Sequence, residues 1–266
     1  MKKIISLAAL AVVSYSVFLL AGLPAAFVWR HAPNMSGIEL EGLSGSVWSG
    51  SAQELTINGI ELQEVSWDFQ PSALLTGKVS ADLEVGDNLS AVVGQATVTY
   101  SPQGVMVEDL EADASAGWLQ QLAAMPVPAT ARGNINLVVD SLVYEEGRCV
   151  ELDGRMEWER GRISSPLGNV ELGKADADLT CKGNTLEGKI SQSSEFLTTD
   201  AVFSFNLNGS YSLNGKVSEG EALPETMKDG MKFLGRPDSQ GRFPLTFRGG
   251  IQGVFLSNRP NRSKHQ

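Results

Sequence analysis

An all-β domain carried on one N-terminal membrane-spanning helix is the architecture this sequence predicts, and three observations predict it. No charged residue occurs from Ile4 to Val28. Beyond that segment, apolar and polar residues alternate with period two through run after run, as half-buried strands require. Gly, Asn and Asp punctuate the gaps between runs, which suits a meander of antiparallel strands joined by tight turns. The expected domain is a curved antiparallel sheet, an open barrel or groove, with two short helices.

At about 1.5 Å per helical residue, the segment 4–28 exceeds the roughly 30 Å hydrocarbon core of a bilayer. Lys2 and Lys3 precede it and Arg30 follows, a basic bias that places the N-terminus in the cytoplasm and the bulk of the chain outside it. Trp29 is then expected at the far interface. A cleaved secretory signal is the competing reading, but the apolar stretch is longer than the usual ~7–15-residue core and no Ala-x-Ala site follows. "LLAGL" at 19–23 has the look of a lipoprotein box, with Leu23 standing where the acylated cysteine belongs. The expected divisions are residues 1–30 as cytoplasmic N-terminus and anchor, 31–257 as the β domain, and 258–266 as a basic flexible tail.

Along the domain, "GLSGSVWSGSAQELTI" at 42–57 opens on serines and glycines around Trp48 and settles into alternation. In "LQEVSWDF", Val65, Trp67 and Phe69 share one face while Ser66 and Asp68 take the other. Further strand runs are "GKVSADLEV", "ATVTY", "GNINLVVDSLVY", "ELDGRMEWER", "KADADLT", "LEGKIS", "VFSFNLNGSYSLNGKV" and "FPLTFRGGI". "SAGWLQQLAAM" at 115–125 predicts a helix that stops before Pro126 and Pro128. "ALPETMKDGMKFLG" places Leu223, Met227, Met231 and Leu234 at helical spacing, weakened by Gly230. Both helices are expected to plug the sheet's edges or ends. A faint repeat relates "LSGSVWSG" at 43–50 to "LDGRMEWERG" at 152–161, suggesting two similar halves at about 38–114 and 131–257.

The chemistry is sparse. The formal charge is −10 with a pI near 4.8, so the chain offers no basic field for nucleic acid. Histidine occurs only as His31 and His265, which discourages triads and His-ligand metal sites. The acidic pairs Glu145–Glu146, Asp109–Glu111 and Asp176–Asp178 read as solvated strand positions, not as carboxyls facing across a cleft. "GNVELGKA" at 168–175 matches a phosphate loop until Ala175 replaces the Ser or Thr that would ligate magnesium, and it reads as a strand turn with its bend at Gly173. No nucleotide, cofactor, metal or enzymatic activity is expected. Cys149 and Cys181, the only two cysteines, point to a disulfide in an exported domain, with two unpaired cysteines on neighbouring strands as the competing reading. A loop of about thirty residues would stabilise the fold by about 3–4 kcal/mol in the chain-entropy account.

Gly45 and Gly50 flank Trp48, which predicts a bent strand whose small residues let that indole lie across a neighbour. Two stretches carry a family resemblance. One is Leu43-Ser-Gly45-Ser-Val-Trp48-Ser-Gly50-Ser-Ala52. The other is Trp67-Asp-Phe-Gln-Pro71-Ser-Ala-Leu74-Leu75-Thr-Gly77-Lys. Together with the N-terminal anchor, the Cys149 and Cys181 pair, Trp158 and the closing "FPLTFRGG" with Gly249, they resemble the type II secretion system protein N family (general secretion pathway protein N). The resemblance implies a single-pass inner-membrane protein of a Gram-negative bacterium, its β domain periplasmic, accessory to export of folded proteins across the outer membrane. It also implies partners among other secretion subunits, in the inner-membrane platform or the outer-membrane secretin. The alternative is an envelope lipid-binding or lipid-transfer module, with Val65, Trp67, Phe69, Leu74 and Trp158 lining an apolar β-groove.

Overall fold

The computed structural model describes residues 11–12, 14–15, 18–32, 37–122, 129–206 and 209–250. In them one antiparallel sheet of fourteen strands follows chain order almost throughout. The edge strand β1 (Ile38–Glu41) pairs with β3 (Ser49–Ile57), and the two-residue β2 (Ser44–Gly45) also attaches to β3. The meander then runs through β4 (Ile60–Phe69), β5 (Val79–Val85), β6 (Val92–Ser101), β7 (Gly104–Ser115) and β8 (Thr130–Glu145). It continues through β9 (Arg148–Ser165), β10 (Gly168–Lys182), β11 (Thr185–Ser193), β12 (Leu197–Asn206), β13 (Ser210–Glu219) and β14 (Phe243–Gly250). β1 and β14 do not pair with each other, so among the described residues the sheet is open. The two expected halves are joined by a full ladder, from Gly104 opposite Glu145 to Ser115 opposite Asn134.

Period-two alternation gives the sheet one apolar face. A single cross-strand row runs Ala52, Val65, Val85, Gly94, Ala112, Leu137, Met156, Ala177, Ile190, Ala201, Gly215, Leu245 from β3 to β14. The adjacent row, one residue along each strand, includes Ser66, Glu84, Gln95, Glu111, Arg155, Asp178, Lys189 and Asn214. A slip of one residue would exchange these rows and expose the whole apolar set, so burial specifies the register. Bulges reset the phase where the pattern breaks. Glu64 and Asp109 take left-handed backbone conformations (φ 48° and 50°), which lets Leu62 and Val65, and likewise Val107 and Leu110, share the apolar face although three residues apart.

Beyond the helical residues that run up to Ala21, the described residues include the short α-helices α1 (Ala25–His31), α2 (Ala116–Leu122) and α3 (Glu225–Met231), and 3-10 helices at Pro71–Thr76 and Lys232–Leu234. The 3-10 turn at 71–76 and strand β7 are not among the expected elements. α3 packs on the apolar face, where Leu223 and Met231 join Val170, Leu172, Val217 and Phe243 in the deepest core. Its apolar stripe is therefore turned inward, onto the face of the sheet and not the edge or end expected of it, while Phe233 beyond it points outward, at 91% exposure. Thr226 Oγ1 donates to the Leu167 carbonyl at 2.7 Å and pins the helix to the β9–β10 turn. No helix among the described residues is long and apolar enough to cross a membrane. Much of the segment 4–28 lies outside the described residues, as do 123–125 of the helix predicted at 115–125 and the tail 258–266.

Candidate functional site

The signature residues around Trp48 assemble at one corner of the sheet, with roles that differ from the expected ones. Gly50 lies opposite Trp67, and a Cβ on it would come within 2.6 Å of Trp67 Cζ2. The indole that crosses the glycine is therefore that of Trp67, and its Nε1 donates to the Val47 carbonyl at 3.1 Å. Trp48 instead turns back toward the N-terminal segment. Its Nε1 donates to the Leu20 carbonyl at 2.7 Å, and its ring packs edge-on against Phe69 with centroids 5.3 Å apart. The sequence motif joins both tryptophans to the same glycines, and only the three-dimensional register says which indole occupies the space. Gly45 adopts φ 76°, and a Cβ there would meet the Ser49 carbonyl at 2.6 Å, so the tight β2–β3 turn requires glycine.

This corner receives the end of the apolar N-terminal segment. The first run of helical residues ends at Ala21, the Val47 amide donates to the Leu23 carbonyl at 3.0 Å, and Pro24 bridges Ser46 ahead of α1. Ala25, at the start of α1, is buried. The Phe69 amide donates to the Trp48 carbonyl at 2.6 Å, so the β4–β5 connection leaves from the same corner. Pro71 begins its 3-10 helix and Gly77, in the left-handed region, ends it. Leu74 and Leu75 stand exposed on this turn, Leu75 by 90%.

Of the five residues expected to line a groove, the structure brings Val65, Trp67 and Phe69 together on the apolar face of β4 and leaves Leu74 on the exposed turn. Trp158 lies five strands away, on β9. It lines a cavity of about 420 Å³ between the apolar face of β9–β14 and the segment carrying Met231 and Leu234. Trp158 repeats the device of Trp67: its Nε1 donates to the Arg132 carbonyl at 3.1 Å, beside Gly133, where a Cβ would stand 2.8 Å from that nitrogen. In three dimensions Trp158 thus corresponds to Trp67, whereas the sequence repeat aligned it with Trp48. The cavity wall is apolar apart from Gln120, Gln192 and Thr199. Gln192 is buried, its Nε2 donates to the Leu172 carbonyl at 2.9 Å, and its Oε1 has no partner. No local sequence pattern marks Gln192, because its isolation depends on which strands surround it.

Cys149 and Cys181 form a disulfide between adjacent strands β9 and β10, with Cα atoms 5.6 Å apart. It closes the end of that strand pair opposite the 166–167 turn. Gly249 faces Tyr211 across β13 and β14. The phosphate-loop look-alike lies within β10, where the pairing with β9 shifts on both sides of Gly173, so the expected bend is a bulge. The acidic pairs are scattered on the polar face and turns: Asp176 meets Lys174 at 3.0 Å and Asp178 meets Arg155 at 4.0 Å. No group of three or more His, Cys, Asp or Glu side chains among the described residues is arranged to hold a metal ion. The most perturbed carboxyl is Asp238, held far below the usual carboxylate range first by the Lys216 ammonium and then by the Arg242 amide, with help from the Gln240 amide and the Arg242 guanidinium. It organises the 238–242 turn before β14.

A family model described as type II secretion system (T2SS), protein N matches residues 36–246. The type II secretion system protein N of Aeromonas hydrophila is 34% identical over 254 residues, covering 94% of this chain and 100% of that protein. The protein of the same description from Vibrio cholerae serotype O1 is 28% identical over 228 residues, covering 85% of this chain and 90% of the relative. That from Pectobacterium carotovorum subsp. carotovorum is 27% identical over 243 residues, with 90% and 94% covered. No solved structure matches.

Proposed function

The chain belongs to the type II secretion system protein N family, and from that membership we propose that it is an accessory inner-membrane subunit of the secretion machinery that exports folded proteins across the outer membrane. The match over 36–246, nearly the whole sheet, is the observation that carries this reading. The subunit works by docking and not by catalysis. Its polar strand face and sheet edges meet other secretion subunits, in the inner-membrane platform or the secretin, and backbone pairing at an edge supplies part of the affinity.

The charge-free stretch from Ile4 to Val28 supports a single-pass anchor with the N-terminus in the cytoplasm and the sheet in the periplasm. At its corner of the sheet, the indole of Trp48, hydrogen-bonded to the Leu20 carbonyl, ties the sheet directly to the end of that stretch. Exposed Leu74 and Leu75, beside Lys78, leave from that corner and make a second contact with the bilayer surface.

Crosslinking of the intact chain in native envelopes, followed by affinity capture, tests the docking role. Other secretion subunits recovered in stoichiometric yield are the expected result. Capture of the chain with no secretion subunit, under conditions that capture the subunits with each other, would overturn it.

A further inference from the structure

We propose that the cavity between the apolar face of β9–β14 and the α3 segment is a binding site for a single acyl chain that carries a hydroxyl group. This goes beyond the secretion role and does not rest on it. The cavity holds about 420 Å³. That lies within the ~300–1,000 Å³ range of small-molecule sites, so the space takes a single acyl chain. Its walls, among them Trp158, Leu172, Ile190, Leu213 and Phe247, bring no charge, so a charged head group stays outside and hydrocarbon enters. A peptide is a poor occupant, because its backbone donors and acceptors would go unpaired against these walls.

Gln192 sets the chemistry of the chain. The Leu172 carbonyl can only accept, so the amide nitrogen of Gln192 faces it at 2.9 Å, and the end left without a partner is the oxygen Oε1. An unpaired acceptor behind an apolar wall favours a ligand that brings a donor. A hydroxyl on the chain does this, and a plain alkyl chain does not. Oε1 is buried in the cavity wall, so binding includes a shift of the Gln192 side chain that brings the oxygen to the hydroxyl.

The test uses the intact chain held in amphipol and two photoactivatable probes, β-hydroxymyristate and myristate, with crosslinks mapped by peptide mass spectrometry and affinities read by competition with the unlabelled acids. Crosslinks should fall on the cavity strands, and the hydroxylated acid should bind roughly threefold to tenfold more tightly, the factor of one net hydrogen bond. Gln192→Leu should still bind both acids and lose the preference. If that variant does not fold, the preference of the unaltered chain decides alone. Equal affinities of the unaltered chain for the two acids, or crosslinks scattered outside the cavity, would overturn the proposal. Organic extracts of the protein captured from envelopes identify the source: a free hydroxy acid or a hydroxylated chain joined to a lipid head group supports the site, and fatty acids without a hydroxyl alone count against it.

Discussion

Replacing Gly50 with alanine probes the corner where the N-terminal segment meets the sheet. The added Cβ would lie 2.6 Å from Trp67 Cζ2, 2.7 Å from the Ser44 carbonyl and 2.8 Å from the Ser46 carbonyl. An indole alone can rotate aside, but the two carbonyls belong to backbone held by the β2–β3 pairing and by the Ser46 amide bond to the Ser49 carbonyl at 2.8 Å. The methyl group therefore has no free direction, and Gly50→Ala should cost about 1–3 kcal/mol, the range for overpacking. Each strand contacts mainly its sheet neighbours, so the damage should stay local, as in repeat arrays. Hydrogen exchange of the intact chain reads this directly. Peptides from 49–69 should lose protection by roughly 5- to 150-fold, at about 1.4 kcal/mol per tenfold, while peptides from 185–206 stay unchanged. Gly117→Ala is the control of opposite sign: it lies in α2 with only the Ala131 carbonyl near, at 3.6 Å, and should stabilise that helix by about 0.5–1 kcal/mol. Unchanged protection of 49–69 in Gly50→Ala would refute the reasoning, since the indole and the turn would then have room to give.

Three other expectations follow from the same geometry. Cys149→Ala/Cys181→Ala should lower the stability of the β9–β10 region by about 3–4 kcal/mol, from the loop entropy released by a separation of 32 residues; urea denaturation with and without reductant checks it, and reductant should leave the double variant unaffected. Asp238 has its folded-state pKa depressed, first by Lys216, so its contribution is present above the unfolded value and lost as pH falls through the folded one. The urea midpoint of the natural chain should thus exceed that of Asp238→Asn at pH 7, and the gap should close below about pH 4. Trp48→Phe removes the indole bond to the Leu20 carbonyl and keeps the ring against Phe69, so exchange at the Val47 amide should quicken by the factor of one hydrogen bond of about 1 kcal/mol, while 185–206 is unaffected.

Much of this fold is legible along the chain because a strand's side chains alternate strictly, and alternation is a local property. The runs around Trp67, Asp82, Asn136 and Ile190 declare their faces without reference to any neighbour. β7 escapes such reading because the bulge at Asp109 slips the phase, so that "VMVEDLEADA" looks irregular until Val107 and Leu110 are seen on one face. The helix at 225–231 and the cysteine pair are likewise readable, the first from helical spacing and the second from composition. What the sequence by itself determined is therefore the class of the protein: an all-β chain with one apolar face, a charge-free N-terminal stretch and the spaced tryptophans and glycines of its family. Which indole fills the space over Gly50, where Leu20 meets Trp48, and that Gln192 stands unpaired beside a 420 Å³ cavity were decided only by the tertiary structure. Each depends on cross-strand register and on residues far apart in the chain, and those distances exist only once the strands have paired.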